Sequence, residues 1–147
     1  MRILVIEDNE AKLNKLKQFC GQHWPGHAVD CRCSYNSALS EVVLRGNTYD
    51  VILLDVSMNT YDISGSESGG EQEPLAGANI LRDMKLRKIY VPVIVVTMYE
   101  SFGDGIKIDT LDAYFKEHYS EFYRGYVYYN LKNEDWITKL DHLMKAI

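Results

Sequence analysis

Three apolar runs each end on side chains that can do chemistry. Ile3 to Ile6 runs into Glu7 and Asp8, Val51 to Leu54 into Asp55, and Val93 to Val96 into Thr97. If those ends meet in space, three carboxylates crowd together and need a cation to offset their repulsion. An all-oxygen donor set with room for water suits Mg²⁺, whereas zinc prefers His or Cys. Beside such an ion Asp55 is a carboxylate nucleophile toward phosphorus, the Thr97 hydroxyl steadies the equatorial oxygens, and the product is an aspartyl phosphate. Singly, each piece has a plainer reading: an acidic pair after a strand also suits a helix N-terminus, and Thr97 could cap a turn. Their joint occurrence at three run ends is what points to a site.

The elements that must bring these ends together are legible in the spacing. Short continuous apolar runs bounded by polar residues read as strands buried on both faces, and weaker runs lie at Ala28 to Cys33 and Tyr126 to Tyr129. Helical spacing fills the gaps. Asn9 can cap a helix carrying Leu13, Leu16 and Cys20, with Gly21 placed to end it. A second helix carries Ala38, Leu39, Val42 and Val43 and stops near Gly46, and a third runs from about Ala78 through Leu81 and Met84. The fourth starts at Asp109 and turns Leu111, Ala113, Tyr114, Phe115 and Phe122 inward; the last starts at Asn133 and repeats apolar residues from Trp136 to Met144. Five β-α repeats predict an α/β fold, a doubly wound five-stranded parallel sheet with helices on both faces. Ligands of such a sheet lie outside the carboxyl ends of its strands.

With 147 residues, 46% of them hydrophobic, the chain suits one well-filled domain over residues 1–147. A net charge of -5 opposes attraction to nucleic acid or anionic lipid, so neither is an expected partner. Cys20, Cys31 and Cys33 lack disulfide or zinc spacing, and Cys31 and Cys33 read as a packed pair on one strand face. No run is long enough to span a bilayer, and a cytoplasmic location is expected. One segment breaks the pattern. Residues 59–76, NTYDISGSESGGEQEPLA, are rich in Gly, Ser and Glu and read as a long mobile loop. Its Glu67, Glu71 and Glu73 read as solvated linker, the sharper alternative being a lid or docking element.

The segments RILVIEDN (Arg2 to Asn9), YDVILLDVSM (Tyr49 to Met58) and VPVIVVT (Val91 to Thr97) resemble, in order and placement, the response-regulator receiver domains of two-component signalling. The resemblance implies a flavodoxin-like strand order 2-1-3-4-5, with Asp55 as phosphoacceptor in a Mg²⁺-dependent reaction. It further implies that Asp8 is a direct Mg²⁺ ligand, Glu7 a ligand through water and the Ser57 carbonyl a third protein ligand. Thr97 would be the hydroxyl that moves toward the phosphoryl group. Expected partners are a histidine kinase or phosphotransfer protein. The chain would be a conformational switch and not an enzyme, with at most slow self-dephosphorylation.

Departures from that family are equally specific. The lysine usual at the end of the fifth strand is missing: the same register puts Tyr126 at the switch aromatic and Tyr129 where lysine belongs, leaving Lys132 or Lys107 to reach in from a loop. Met98 is bulky where the family is usually small, which would slow phosphoryl donors or attacking water. Tyr99, Tyr114, Tyr119, Tyr123, Tyr126, Tyr128 and Tyr129 exceed what one core needs. They suggest a dimer or output-partner face on the fourth helix, fifth strand and fifth helix. The alternative function is a pseudo-receiver, a protein-binding module that works without phosphorylation. A flavin-binding electron carrier of the same fold lacks its phosphate loop here.

Overall fold

In the computed structural model, residues 1–63 and 70–147 are described. Among the described residues, nine strands and five α-helices follow one another as β1 (Arg2–Ile6), α1 (Glu10–His23), β2 (Ala28–Arg32), α2 (Tyr35–Arg45), β3 (Val51–Leu54), β4 (Met58–Asn59), β5 (Gln72–Glu73), α3 (Ala76–Leu86), β6 (Val93–Thr97), β7 (Ser101–Phe102), β8 (Ile106–Lys107), α4 (Ile108–His118), β9 (Tyr123–Tyr128) and α5 (Asp135–Lys145). The five long strands make one sheet in the order β2-β1-β3-β6-β9, parallel at every pairing. That is the expected 2-1-3-4-5 order, with two small antiparallel pairs, β4-β5 and β7-β8, added at the site end.

The continuous apolar runs exist because both faces of the sheet are covered. Ile3, Val5, Val51, Leu53, Ile94 and Val96 pack with Leu13, Leu16 and Phe19 of α1 and Trp136, Leu140 and Met144 of α5. The alternate residues Leu4, Ile6, Ile52, Leu54, Val93 and Val95 pack with Val42 of α2, Ile80 and Leu81 of α3 and Phe115 of α4. Period-two alternation therefore sends apolar groups both ways, each fully buried side chain contributing about 1.5–3 kcal/mol of hydrophobic stabilisation.

Local expectations shift in four places. Helix α1 passes through Gly21 to His23, because the next turn still closes on Cys20, whose carbonyl accepts the Trp24 N–H. Helix α4 leaves Tyr114 48% exposed, so only Leu111 and Phe115 of the expected inward set on the helix itself are buried. Cys33 lies past the end of β2 and is exposed, while Cys31 packs on the α1/α5 face, so the two do not form a packed pair. The segment 59–76 is not loop throughout. Met58–Asn59 pairs with Gln72–Glu73, and Thr60 N–H donates to the Glu71 carbonyl at 3.0 Å. Glu67 lies outside the described residues.

Candidate functional site

The winding reverses between β1 and β3, and the residues that follow those strands meet there. Ligand oxygens of Glu7, Asp8 and Asp55 lie within 4.8 Å of one another, at the ends of strands more than forty residues apart in sequence. Local bonds fix each carboxylate. Asp55 Oδ1 accepts the Val56 N–H at 2.7 Å, Glu7 Oε1 accepts the Asn9 N–H at 3.0 Å and Asp8 Oδ2 accepts the Asn59 N–H at 3.0 Å. Asn9 also caps α1 through its side chain, accepting from Lys12 N–H at 2.9 Å, a bond worth ~1 kcal/mol that sets where the helix begins. Thr97 is fully buried at the end of β6, and its Oγ1 accepts the Tyr99 N–H at 3.2 Å.

A fourth charged group joins them that the sequence did not announce. Lys12, on the inner face of α1 with no exposed surface, places Nζ 2.5 Å from Glu7 Oε2, 3.3 Å from Asp55 Oδ2 and 2.6 Å from the Val96 carbonyl oxygen. Lys132 and Lys107, the expected replacements, take no part among the described ion pairs, and Lys107 lies on β8 beside Tyr126 and Tyr128. Tyr129 is buried, its ring 5.0 Å from that of Trp136 and 5.8 Å from Lys12 Nζ, so the strand-end aromatic is packed into the α1/α5 face. Tyr126 donates its hydroxyl proton to Asp109 Oδ1 at 2.8 Å. Met98 is half-buried against the α1/α5 core.

The electrostatics follow from burial. Desolvation pushes the Glu7 carboxyl up from 4.5 to about 8, helped by the Asp55 charge and opposed by Lys12. Asp55 is also raised, first by burial, with Lys12 and the Val56 amide pulling the other way. The unfolded chain therefore gives up its Glu7 proton at lower pH than the folded one, and stability without metal falls as pH climbs from about 4.5 to about 8. Thermal melts in chelator across that window are expected to show a downward slope that flattens in Glu7→Gln; equal slopes would remove Glu7 as its source.

The donor set fits a hard divalent cation. It is all oxygen, it carries excess negative charge, and Glu7 Oε2 is buried with an ion contact to Lys12 but no hydrogen bond among the described residues. A cleft of about 450 Å³ opens over the cluster between Asp8, Ser57, Gln72, Tyr99 and Phe102. Its rim is built by the added antiparallel pairs: Gln72 Nε2 donates to Ser57 Oγ at 2.8 Å, fastening β5 to the turn that follows Asp55. Sequence reasoning missed this framing because two-residue strands carry no periodic signal.

No family model matches the chain. A protein described as "Detocs response regulatory protein DtcB", from Enterobacter cloacae, is 28% identical over 144 residues, 95% of each chain. An uncharacterized protein, y4jR of Sinorhizobium fredii, is 28% identical over 146 residues, 95% of this chain and 94% of its own. Among solved structures, a response regulator receiver domain protein (CheY-like) from Methanospirillum hungatei superposes with a TM-score of 0.62 at 18% identity, over 99% of this chain and 91% of that one. A response regulator receiver domain protein from Clostridium thermocellum gives 0.66 at 19% identity, over 99% and 91%. The chain thus has the flavodoxin-like α/β fold of response-regulator receiver domains, as its motifs implied. None of the helices among the described residues is long and apolar enough to cross a membrane.

Proposed function

We propose that this chain is a phosphoacceptor receiver that takes a phosphoryl group on Asp55 in a Mg²⁺-dependent reaction and signals by a change of conformation. The observation that carries this reading is the meeting of Glu7, Asp8 and Asp55 within 4.8 Å, with the buried Thr97 ending β6 of the same sheet. Glu7, Asp8, Asp55 and the Ser57 carbonyl are the groups that would hold the ion, which when bound neutralises the carboxylates and the phosphoryl oxygens. Asp55 is aimed by the Val56 amide on Oδ1. Its carboxylate forms the new oxygen–phosphorus bond as the donor's bond to phosphorus breaks, and the donor leaves with that bonding pair. The Thr97 hydroxyl gives up its contact with Tyr99 N–H to meet a phosphoryl oxygen, and Tyr126 gives up Asp109 if the aromatic moves with it. A histidine kinase or phosphotransfer protein would supply the group, and the site works within the cytoplasm.

Of the tyrosines suggesting a partner face, Tyr119, Tyr123 and Tyr129 are core, while Tyr99, Tyr114 and Tyr128 are exposed around α4 and β9. Output contacts there would use the exposed three. The second reading, a protein-binding module independent of phosphate, draws on Lys12: a cation already within the acidic cluster offsets the charge that otherwise demands a metal. Incubation with Mg²⁺ and acetyl phosphate separates the two. A base-labile adduct, read by mass spectrometry and absent when Mg²⁺ is chelated, is the expected result; no adduct under conditions that label an ordinary receiver would turn the assignment to the binding module.

A further inference from the structure

We infer that Lys12, reaching in from α1, supplies the ammonium that contacts the phosphoryl group on Asp55, the place at the end of β9 being taken by the packed Tyr129. The inference rests on the phosphoacceptor reading. Lys12 Nζ has three oxygen neighbours: it donates a hydrogen bond to the Val96 carbonyl at 2.6 Å and makes ion contacts with Glu7 Oε2 at 2.5 Å and Asp55 Oδ2 at 3.3 Å. Two contacts are short and fasten the amine to β1 and β6. The third is long and is aimed at the reacting carboxylate. A phosphoryl oxygen arriving on Asp55 can take over that weakest contact while the other two keep the amine in place.

The end of β9 confirms the division of labour. Tyr129, next after the strand, is committed to packing on Trp136, and its N–H donates to the Thr97 carbonyl at 2.7 Å. Its ring borders the same space as the ammonium without bringing a charge. A lysine is buried outright only when it is paired, and here two of its partners are carboxylates of the site itself. A purely structural ion pair and a phosphoryl contact are separable, because Lys12 also opposes a second cation in the cluster. Removing it should strengthen Mg²⁺ binding while weakening phosphorylation.

The test compares wild type, Lys12→Met and Lys12→Met with Tyr129→Lys, reading Mg²⁺ affinity by calorimetry and the rate of adduct formation from acetyl phosphate at saturating Mg²⁺. Lys12→Met is expected to bind Mg²⁺ several-fold more tightly yet to form adduct about 10²-fold more slowly, as for loss of one donor to a developing anion. Returning the lysine to the strand end in the double variant is expected to recover most of the rate. Equal rates in wild type and Lys12→Met overturn the inference alone, as does a folded double variant as slow as the single one. A wild type that takes no phosphoryl group overturns the phosphoacceptor reading and this inference with it. Should Lys12→Met fail to fold, the double variant decides: a rate near wild type supports the relocated lysine, and a rate as low as that of Asp55→Asn overturns it.

Discussion

Asp55→Asn is expected to form no base-labile adduct with acetyl phosphate and Mg²⁺, under conditions in which the wild type does. An amide oxygen is a far weaker nucleophile toward phosphorus than a carboxylate, so the substitution removes the attacking group itself. Loss of the adduct is expected without loss of the fold. Asn keeps an oxygen for the Val56 N–H, now at 2.7 Å, and Lys12 retains Glu7 and the Val96 carbonyl. Removing one of two buried like charges also relieves Glu7, whose carboxyl is raised partly by Asp55. Chelator-treated Asp55→Asn should therefore melt no lower than wild type at neutral pH, while its Mg²⁺ affinity drops. An adduct that persists in the variant would assign the phosphoryl group to another residue.

The same residues show how far the sequence alone could reach. Glu7, Asp8, Asp55 and Thr97 were legible because each terminates an apolar run, and parallel topology brings such ends to one edge. The doubly wound parallel sheet and both helical layers followed from five alternations of period, and the strand order from the resemblance of the three strand motifs. Lys12 was hidden by its type. It shares the inner face of α1 with Leu16 and Phe19, at the i, i+4 and i+7 positions of one stripe, but a lysine in an amphipathic pattern reads as the polar side. The signal that could have found it is that register, taken together with a missing cation at the strand end. Tyr114 erred in the opposite sense: its ring stacks on His118 at 4.0 Å along the outer face of α4, where aromatic character does not imply burial. The framing of the cleft by Gln72 and Phe102 depends on side-chain contacts between segments far apart in the chain, which no periodicity encodes.

Gly77→Ala is expected to lower both stability and adduct formation, although alanine is the better helix former by ~1 kcal/mol. Gly77 lies in the first turn of α3, and its N–H donates to the Val56 carbonyl at 2.8 Å. A Cβ there would stand 2.5 Å from the Asp55 carbonyl oxygen and 2.9 Å from Val56 Cα. Both neighbours are backbone, so no side chain can swing aside; either α3 retreats or the Asp55–Val56 peptide moves. Overpacking of this kind costs about 1–3 kcal/mol, which outweighs the propensity gain and lowers the melting temperature by a few degrees. The displaced peptide is the one that aims the Asp55 carboxylate, so adduct formation should fall roughly 10-fold or more even where the variant remains folded. Gly21→Ala supplies the contrast, since that helical glycine has nothing within 4 Å of the added carbon and should gain a few tenths of a kcal/mol or more, about the ordinary propensity difference, with an unchanged rate. If Gly77→Ala were stabilised like Gly21→Ala, the close approach of α3 would not be what fixes Asp55 in place.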